Sequence, residues 1–330
     1  MPPIPLAALE PRRIAVLRAL ALGDLLCAVP ALRSIRAAFR DAEVTLVGLP
    51  WAAEFVGRFA HYLDALIELP GYPGLPEQEP VVAAIPEFLR DAQARRFDLV
   101  VQLHGSGDVT NPLAVLLGGR RTAGFFRADG YCPDPETFTE YPARGPEPVR
   151  LLRLPEFLGL PVDGAQLEFP LTDADREELR HLEIDGDYAC VHPGSRLPSR
   201  RWAPESFAAV ADAVAERGLR VVLTGSESER PITGAVAAAM REPAVDVAGR
   251  TSLGALGALL ERARLLVSND TGVSHVAAAL RVPSVVVFTA SDPRRWAPLD
   301  GALHRAVTAP VVRPEQVIAE VDGLLERDGS

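Results

Sequence analysis

The chain's strongest constraint is a recurring alternation. A short apolar run ends in a turn of small polar residues, and a longer segment with helical spacing follows. In the first half the runs are Ile14–Arg18, Val44–Gly48, Asp98–Leu103 and Arg120–Phe126, with helical segments at Ala31–Arg40 and Val149–Leu158. In the second half they are Tyr188–His192, Arg220–Thr224, Val245–Val247, Leu265–Ser268 and Ser284–Thr289. The helical segments Glu205–Arg217, Leu253–Ala263 and Val273–Leu280 fall between them. Strand–helix order of this kind predicts α/β architecture, a parallel sheet with helices on both faces.

The alternation occurs twice. Between Gly159 and Asp173, Pro and Gly punctuate a mostly extended path that reads as a linker. The 330 residues suffice for two domains, each with its own core. The expected division is a domain over 1–165, a second over 166–310, and a last helix over 311–330. Ile318, Val321 and Leu325 lie at helical spacing in that helix, which is expected to pack back toward the first domain. Two such domains predict a central cleft.

Charge narrows the function. All 34 basic residues are Arg, against 44 acidic residues, giving a formal charge of −10. The balance argues against general nucleic-acid binding, and phosphate would have to be held by Arg, backbone amides, hydroxyls or His. Cys27, Cys132 and Cys190 are too far apart for a Cys-x-x-Cys pair, so neither a disulfide framework nor a zinc site is indicated. No signal-peptide pattern and no long apolar run is present, which predicts a cytoplasmic protein.

Five motifs directly follow strands, where open α/β sheets bind ligands: Leu22-Gly-Asp24, His104-Gly-Ser-Gly107, His192-Pro-Gly-Ser-Arg196, Thr224-Gly-Ser-Glu-Ser-Glu229 and Ser268-Asn-Asp-Thr-Gly-Val-Ser-His275. Asp24 has two readings, a helix N-cap or a general base. Pro30 is expected to kink the helix that follows or to begin it. The His192–Arg196 block with Arg200 and Arg201 suits a diphosphate. The amides of Thr271, Gly272 and Val273 open a helix and attract an anion, with Asp270 and His275 beside them. Glu229, or Glu227 nearby, is placed for ribose hydroxyls. Asp185-Gly-Asp187 reads as a turn rather than a metal site, and Trp202 as packing.

Together, Leu22-Gly-Asp-Leu-Leu with Pro30-Ala-Leu-Arg, His192-Pro-Gly-Ser with Arg200-Arg-Trp, Gly249-Arg-Thr-Ser-Leu and Asn269-Asp-Thr-Gly-Val-Ser-His resemble glycosyltransferase family 9, the ADP-heptose:lipopolysaccharide heptosyltransferases and their relatives. The resemblance implies the GT-B fold, two Rossmann-like domains facing a central cleft, with the donor on the C-terminal one. It implies an inverting, metal-independent transfer without a cofactor, from an ADP-sugar, ADP-heptose first, to the hydroxyl of a glycan or small-molecule acceptor, in lipopolysaccharide biosynthesis. Peripheral membrane contact is expected only where the acceptor is a lipid-linked glycan.

By the same resemblance Asp24 is the base, Ser195 and Arg200 contact phosphate, Glu229 the ribose, and Thr251 lies beside the adenine. Asp270, Thr271, Gly272 and His275 meet the donor sugar and phosphates. Arg200 stands where the family usually has Lys. Gly23, His104 and Ser106, in the loops at the Asp24 end, are the candidates for acceptor contacts. A GT-B sugar-nucleotide epimerase or hydrolase and a non-catalytic nucleotide-sugar binder are the alternatives. Trp51–Asp91 carries seven acidic residues against Arg58 and Arg90, a poor surface for a phosphorylated acceptor.

Overall fold

A computed structural model describes residues 10–182 and 184–328, which divide into two units at Gln166 and Leu167. The first unit holds strands β1 (Arg13–Leu17), β2 (Glu43–Gly48), β3 (Ala65–Glu68), β4 (Leu99–Gln102), β5 (Arg121–Phe126) and β6 (Phe138–Glu140). Its helices are α1 (Leu22–Ala38), α2 (Ala52–Arg58), α3 (Ile85–Ala94), α4 (Thr110–Leu116) and α5 (Glu147–Phe157). The six strands are all parallel, in the order β3-β2-β1-β4-β5-β6.

The second unit repeats the plan. Its strands are β7 (Tyr188–His192), β8 (Arg220–Leu223), β9 (Ala244–Asp246), β10 (Leu265–Asn269), β11 (Ser284–Phe288) and β12 (His304–Thr308). Its helices are α6 (Asp173–Glu178), α7 (Pro204–Glu216), α8 (Arg230–Ala239), α9 (Leu253–Glu261), α10 (Gly272–Ala279), α11 (Pro293–Trp296) and α12 (Pro314–Asp328). The order β12-β11-β10-β7-β8-β9 is again all parallel. Counted from its own first strand, each sheet is wound 3-2-1-4-5-6, the doubly wound order of Rossmann-type folds. Each therefore reverses direction once, at β1/β4 in the first unit and at β7/β10 in the second, and a crevice opens at the carboxyl ends of those strands.

The strands are apolar because both faces are covered. In the first unit Ala15, Leu17, Val47 and Val100 face a core closed by Phe88, Ala92, Leu113 and Ala114 of α3 and α4. Val191, Leu223, Val267, Val285 and Val287 do the same in the second unit against Phe207, Val210 and Val214 of α7.

One expectation is corrected, and three strands join those read from the sequence. α1 runs unbroken from Leu22 through Pro30 to Ala38, where the sequence predicted a start near Ala31. Pro30 removes one backbone bond, but all residues from Leu25 to Leu32 are buried, and that packing holds the helix together. The strands β3, β6 and β12 were not foreseen, being short or interrupted by charge. The last helix shares the core of the second unit, with Val317, Val321 and Leu324 beside Phe207 and Val287. No described helix is long and apolar enough to cross a membrane.

Candidate functional site

At the β1/β4 crevice the chain leaves β1 through Arg18, whose side chain is fully buried. Its Nε donates to the main-chain oxygen of Asp24 at 2.9 Å and its Nη1 to the main-chain oxygen of Leu103, while Nη2 is buried without a hydrogen-bond partner. One guanidinium thus joins the first turn of α1 to the end of β4. Ala21, in extended conformation, is the N-cap of α1, without a side-chain cap bond. Asp24 is the third helical residue, half-buried, where a carboxylate is favoured by the helix dipole. The N-cap reading of Asp24 is therefore set aside, and Gly23 is buried beneath it.

His104 crosses the same crevice. Its Nδ1 accepts the N–H of Ala19 at 3.1 Å, which leaves the proton of the neutral ring on Nε2. Burial, and secondarily the Arg18 charge, hold its pKa down at about 3, so the ring is neutral at physiological pH. Its carbonyl accepts from Gln102 Nε2 at 3.0 Å and from Thr110 Oγ1 at 3.0 Å. Gly105 and Gly107 have φ of 66° and 89°, the left-handed region. A Cβ on Gly107 would also lie 2.3 Å from the Asn111 amide, itself held by the carbonyls of Phe125 and Tyr131. Ser106 is half-exposed on this loop, its Oγ 3.5 Å from Asp108 Oδ2.

At the β7/β10 crevice, His192 Nδ1 lies 3.0 Å from Thr224 Oγ1. Its Nε2 is 4.0 Å from Glu229 Oε2. Burial lowers the His192 pKa, against the opposing pull of Glu229. Glu229 folds back to accept the N–H and Oγ of Ser226 at 2.8 and 2.9 Å. Its carboxylate lies so close to Gly194 that a Cβ there would stand 2.3 Å away. Glu227 points elsewhere, to Arg230 at 3.1 Å and toward Gly249. Of the two acids, Glu229 is the one at the β7 loop.

Asn269 ends β10 and clamps that loop. Its Oδ1 accepts the N–H of Trp202 at 3.0 Å and its Nδ2 donates to the Pro193 carbonyl at 2.8 Å. The neighbouring Asp270 is buried, with Ser291 Oγ donating to its Oδ2 at 2.5 Å and Arg200 Nη1 3.4 Å from the same oxygen. Ser195 is buried, and its carbonyl accepts Arg201 Nε at 2.7 Å. Thr271 caps α10 without a side-chain bond, and Gly272 opens the helix, so first-turn amides lacking intrahelical acceptors face the crevice. His275, one turn further, is buried. Thr251 is half-exposed just before Ser252, the N-cap of α9.

Ser195, Arg200, Glu229, Asp270, Thr271 and Gly272 thus gather on the loops of one crevice, and Asp24, Gly23, His104 and Ser106 on those of the other. Thr251 sits on the next loop out. Arg18 was missed, although a cation closing an apolar strand was visible in the sequence. Ser291 carried no local signal. Trp202 is a packing residue, 7% exposed, edge-on to Phe207. Among the described residues no group of three His, Cys, Asp or Glu side chains is placed to hold a metal ion.

Solved structures share this architecture. A glycosyl transferase family 9 protein from Veillonella parvula superposes with a TM-score of 0.78 at 23% identity, covering 96% of this chain and 98% of that one. The ADP-heptose lps heptosyltransferase II of E. coli gives 0.74 at 19% identity, covering 96% and 100%. The two doubly wound units define the GT-B class of fold. Residues 149–313, half of the chain, match the model of glycosyltransferase family 9 (heptosyltransferase), and the chain belongs to that family.

Curated relatives include lipopolysaccharide heptosyltransferase 3 of Escherichia coli, 32% identical over 126 residues, 37% of either chain. Lipopolysaccharide heptosyltransferase 1 of Pseudomonas aeruginosa is 33% identical over 134 residues, 38% of this chain and 37% of its own. The matched segment spans little more than a third of these relatives' length.

Proposed function

We propose that the chain is an inverting glycosyltransferase that moves a sugar, heptose first, from an ADP-sugar to an acceptor hydroxyl. The observation that carries this reading is the anion-binding geometry at β7/β10. Arg200, 3.4 Å from Asp270, stands with the first-turn amides of α10 on one set of strand-end loops. The relatives' names, heptosyltransferases acting on lipopolysaccharide, support heptose as the sugar, and one solved neighbour carries ADP.

In this reaction Asp24 accepts the proton of the acceptor hydroxyl. The oxygen attacks the anomeric carbon as its bond to the β-phosphate breaks, and ADP leaves with the electron pair. Arg200 and the amides of Thr271 and Gly272 offset the charge that grows on the leaving phosphate. Glu229 accepts ribose hydroxyls, Ser195 contacts phosphate, Thr251 borders the base, and Asp270 and His275 orient the sugar. Arg18 holds the Asp24 turn in place.

Calorimetric titration with ADP, UDP, GDP and CDP, then with ADP-heptose on wild type and Asp24→Asn, tests the reading. ADP preference with donor binding retained in Asp24→Asn is expected. Preference for another nucleotide overturns the donor assignment, and absence of binding overturns the transferase reading.

A further inference from the structure

We propose that the acceptor is a neutral or amino-substituted glycan, without phosphate or carboxylate groups at the part that reaches Asp24. The inference rests on the functional reading above and names the acceptor class for it. It comes from the charges on the loops at the carboxyl ends of the first sheet. Among the described residues of the loops that follow β1, β2, β3, β4 and β5, the cations are Arg18 and Arg127.

Arg18 is out of reach of an anion, and Arg127, 56% exposed, is outnumbered by the carboxylates it already meets. Arg18 is 1% exposed, with two of its nitrogens bonded to main-chain oxygens. Arg127 lies between two carboxylates, Nη1 2.9 Å from Asp108 Oδ2 and Nε 2.5 Å from Asp129 Oδ1. Arg144 follows β6, three strands away from β1.

Carboxylates dominate the same rim. Asp24 borders the crevice itself, and beside it Asp108 and Asp129 together outnumber their shared partner Arg127. Glu79 is exposed on the loop after β3, which crosses to the β4 loop so closely that a Cβ on Gly74 would be 3.0 Å from Val109. A phosphorylated acceptor would approach against this field, whereas an amino group would be drawn in. Two exposed aromatic rings stand on the rim, Trp51 after β2 at 37% and Tyr131 after β5 at 53% exposure. Ring faces of this kind pack on the C–H face of an uncharged sugar while hydroxyls point to polar groups.

The test uses the full chain and one methyl glycoside in neutral, amino and phosphorylated forms, read by saturation-transfer NMR with and without ADP. ADP release from ADP-heptose is then followed with the same three compounds. The neutral and amino forms are expected to rank above the phosphorylated form at least fivefold or so, and raising salt to about 0.3 M is expected to improve the phosphorylated form by screening repulsion. The double variant D108N/D129N releases Arg127 and is expected to narrow the gap several-fold. A phosphorylated form that ranks first and weakens with salt overturns the proposal, as does absence of saturation transfer from all three. Failure of ADP to bind would instead overturn the functional reading, because the NMR ranking without nucleotide still decides the charge preference.

Discussion

Arg18 Nε donates to the main-chain oxygen of Asp24 at 2.9 Å, so the turn that carries the proposed base is fastened from below by a buried cation. Removing it leaves two carbonyls without their donor in a dry site. Arg18→Ala is expected to cost about 2–4 kcal/mol in urea unfolding. It should also lower kcat more than it raises KM for the donor. Arg18→Lys, which keeps the charge but loses the planar fork, should recover part of both. Unchanged stability in Arg18→Ala would count against the fastening.

Acid should unfold the protein through its buried histidines. His104 and His304 are held neutral with pKa values of about 3 and about 4, against 6.5 for the free side chain, chiefly by burial. His192 is shifted the same way, again by burial. The unfolded chain binds these protons first, so stability is complete above pH 6.5 and falls as pH drops toward the folded values. His104 and His304 each add a slope of up to about 1.4 kcal/mol per pH unit in that window. Urea midpoints from pH 7.5 to 4.5 check it, and a His304→Gln variant should show a shallower decline.

Arg200 should matter to ADP more than to the fold. It is one-third exposed, and its partner Asp270 keeps the Ser291 hydroxyl without it. Arg200→Ala is expected to weaken ADP binding by about 10- to 100-fold, the range of a charge-assisted bond, with a melting temperature near that of wild type. Calorimetry on Arg200→Ala and Arg200→Lys reads both effects.

The β4 loop has almost no tolerance at Gly107. Its φ of 89° and the Asn111 amide, pinned by two carbonyls, both oppose a methyl group. Gly107→Ala is expected to destabilise by about 2–4 kcal/mol. Gly159→Ala, at φ 70° but with open space around its Cβ position, should cost only about 1 kcal/mol. Equal losses would mean that backbone strain alone decides.

Much of this architecture was legible because a doubly covered parallel strand must be apolar through its middle, as Ala189–Val191 and Val285–Phe288 are. Two edge strands were not: Ala65–Glu68 and His304–Arg-Ala-Val-Thr308 are short and carry charge, and pairing with a neighbour makes them strands. At the sites, the strand-end position of Asp24 and Asp270 followed from local pattern. The Arg18 and Ser291 contacts did not, since each joins segments brought together by sheet order. Pro30 misled because local propensity favours a break, whereas burial of the flanking residues decides the outcome.

The helix Pro314–Asp328 gives the two halves different timetables during synthesis. The first unit has every core strand and helix once residue 157 has emerged. The second lacks one wall of its core until Val317, Val321 and Leu324 arrive. At about 5–20 residues per second, the ribosome leaves the second sheet uncovered on that side for about 7–26 s after β7 appears. The first unit can thus close while the second is still being made, and a chaperone would find the second sheet open until the last helix emerges.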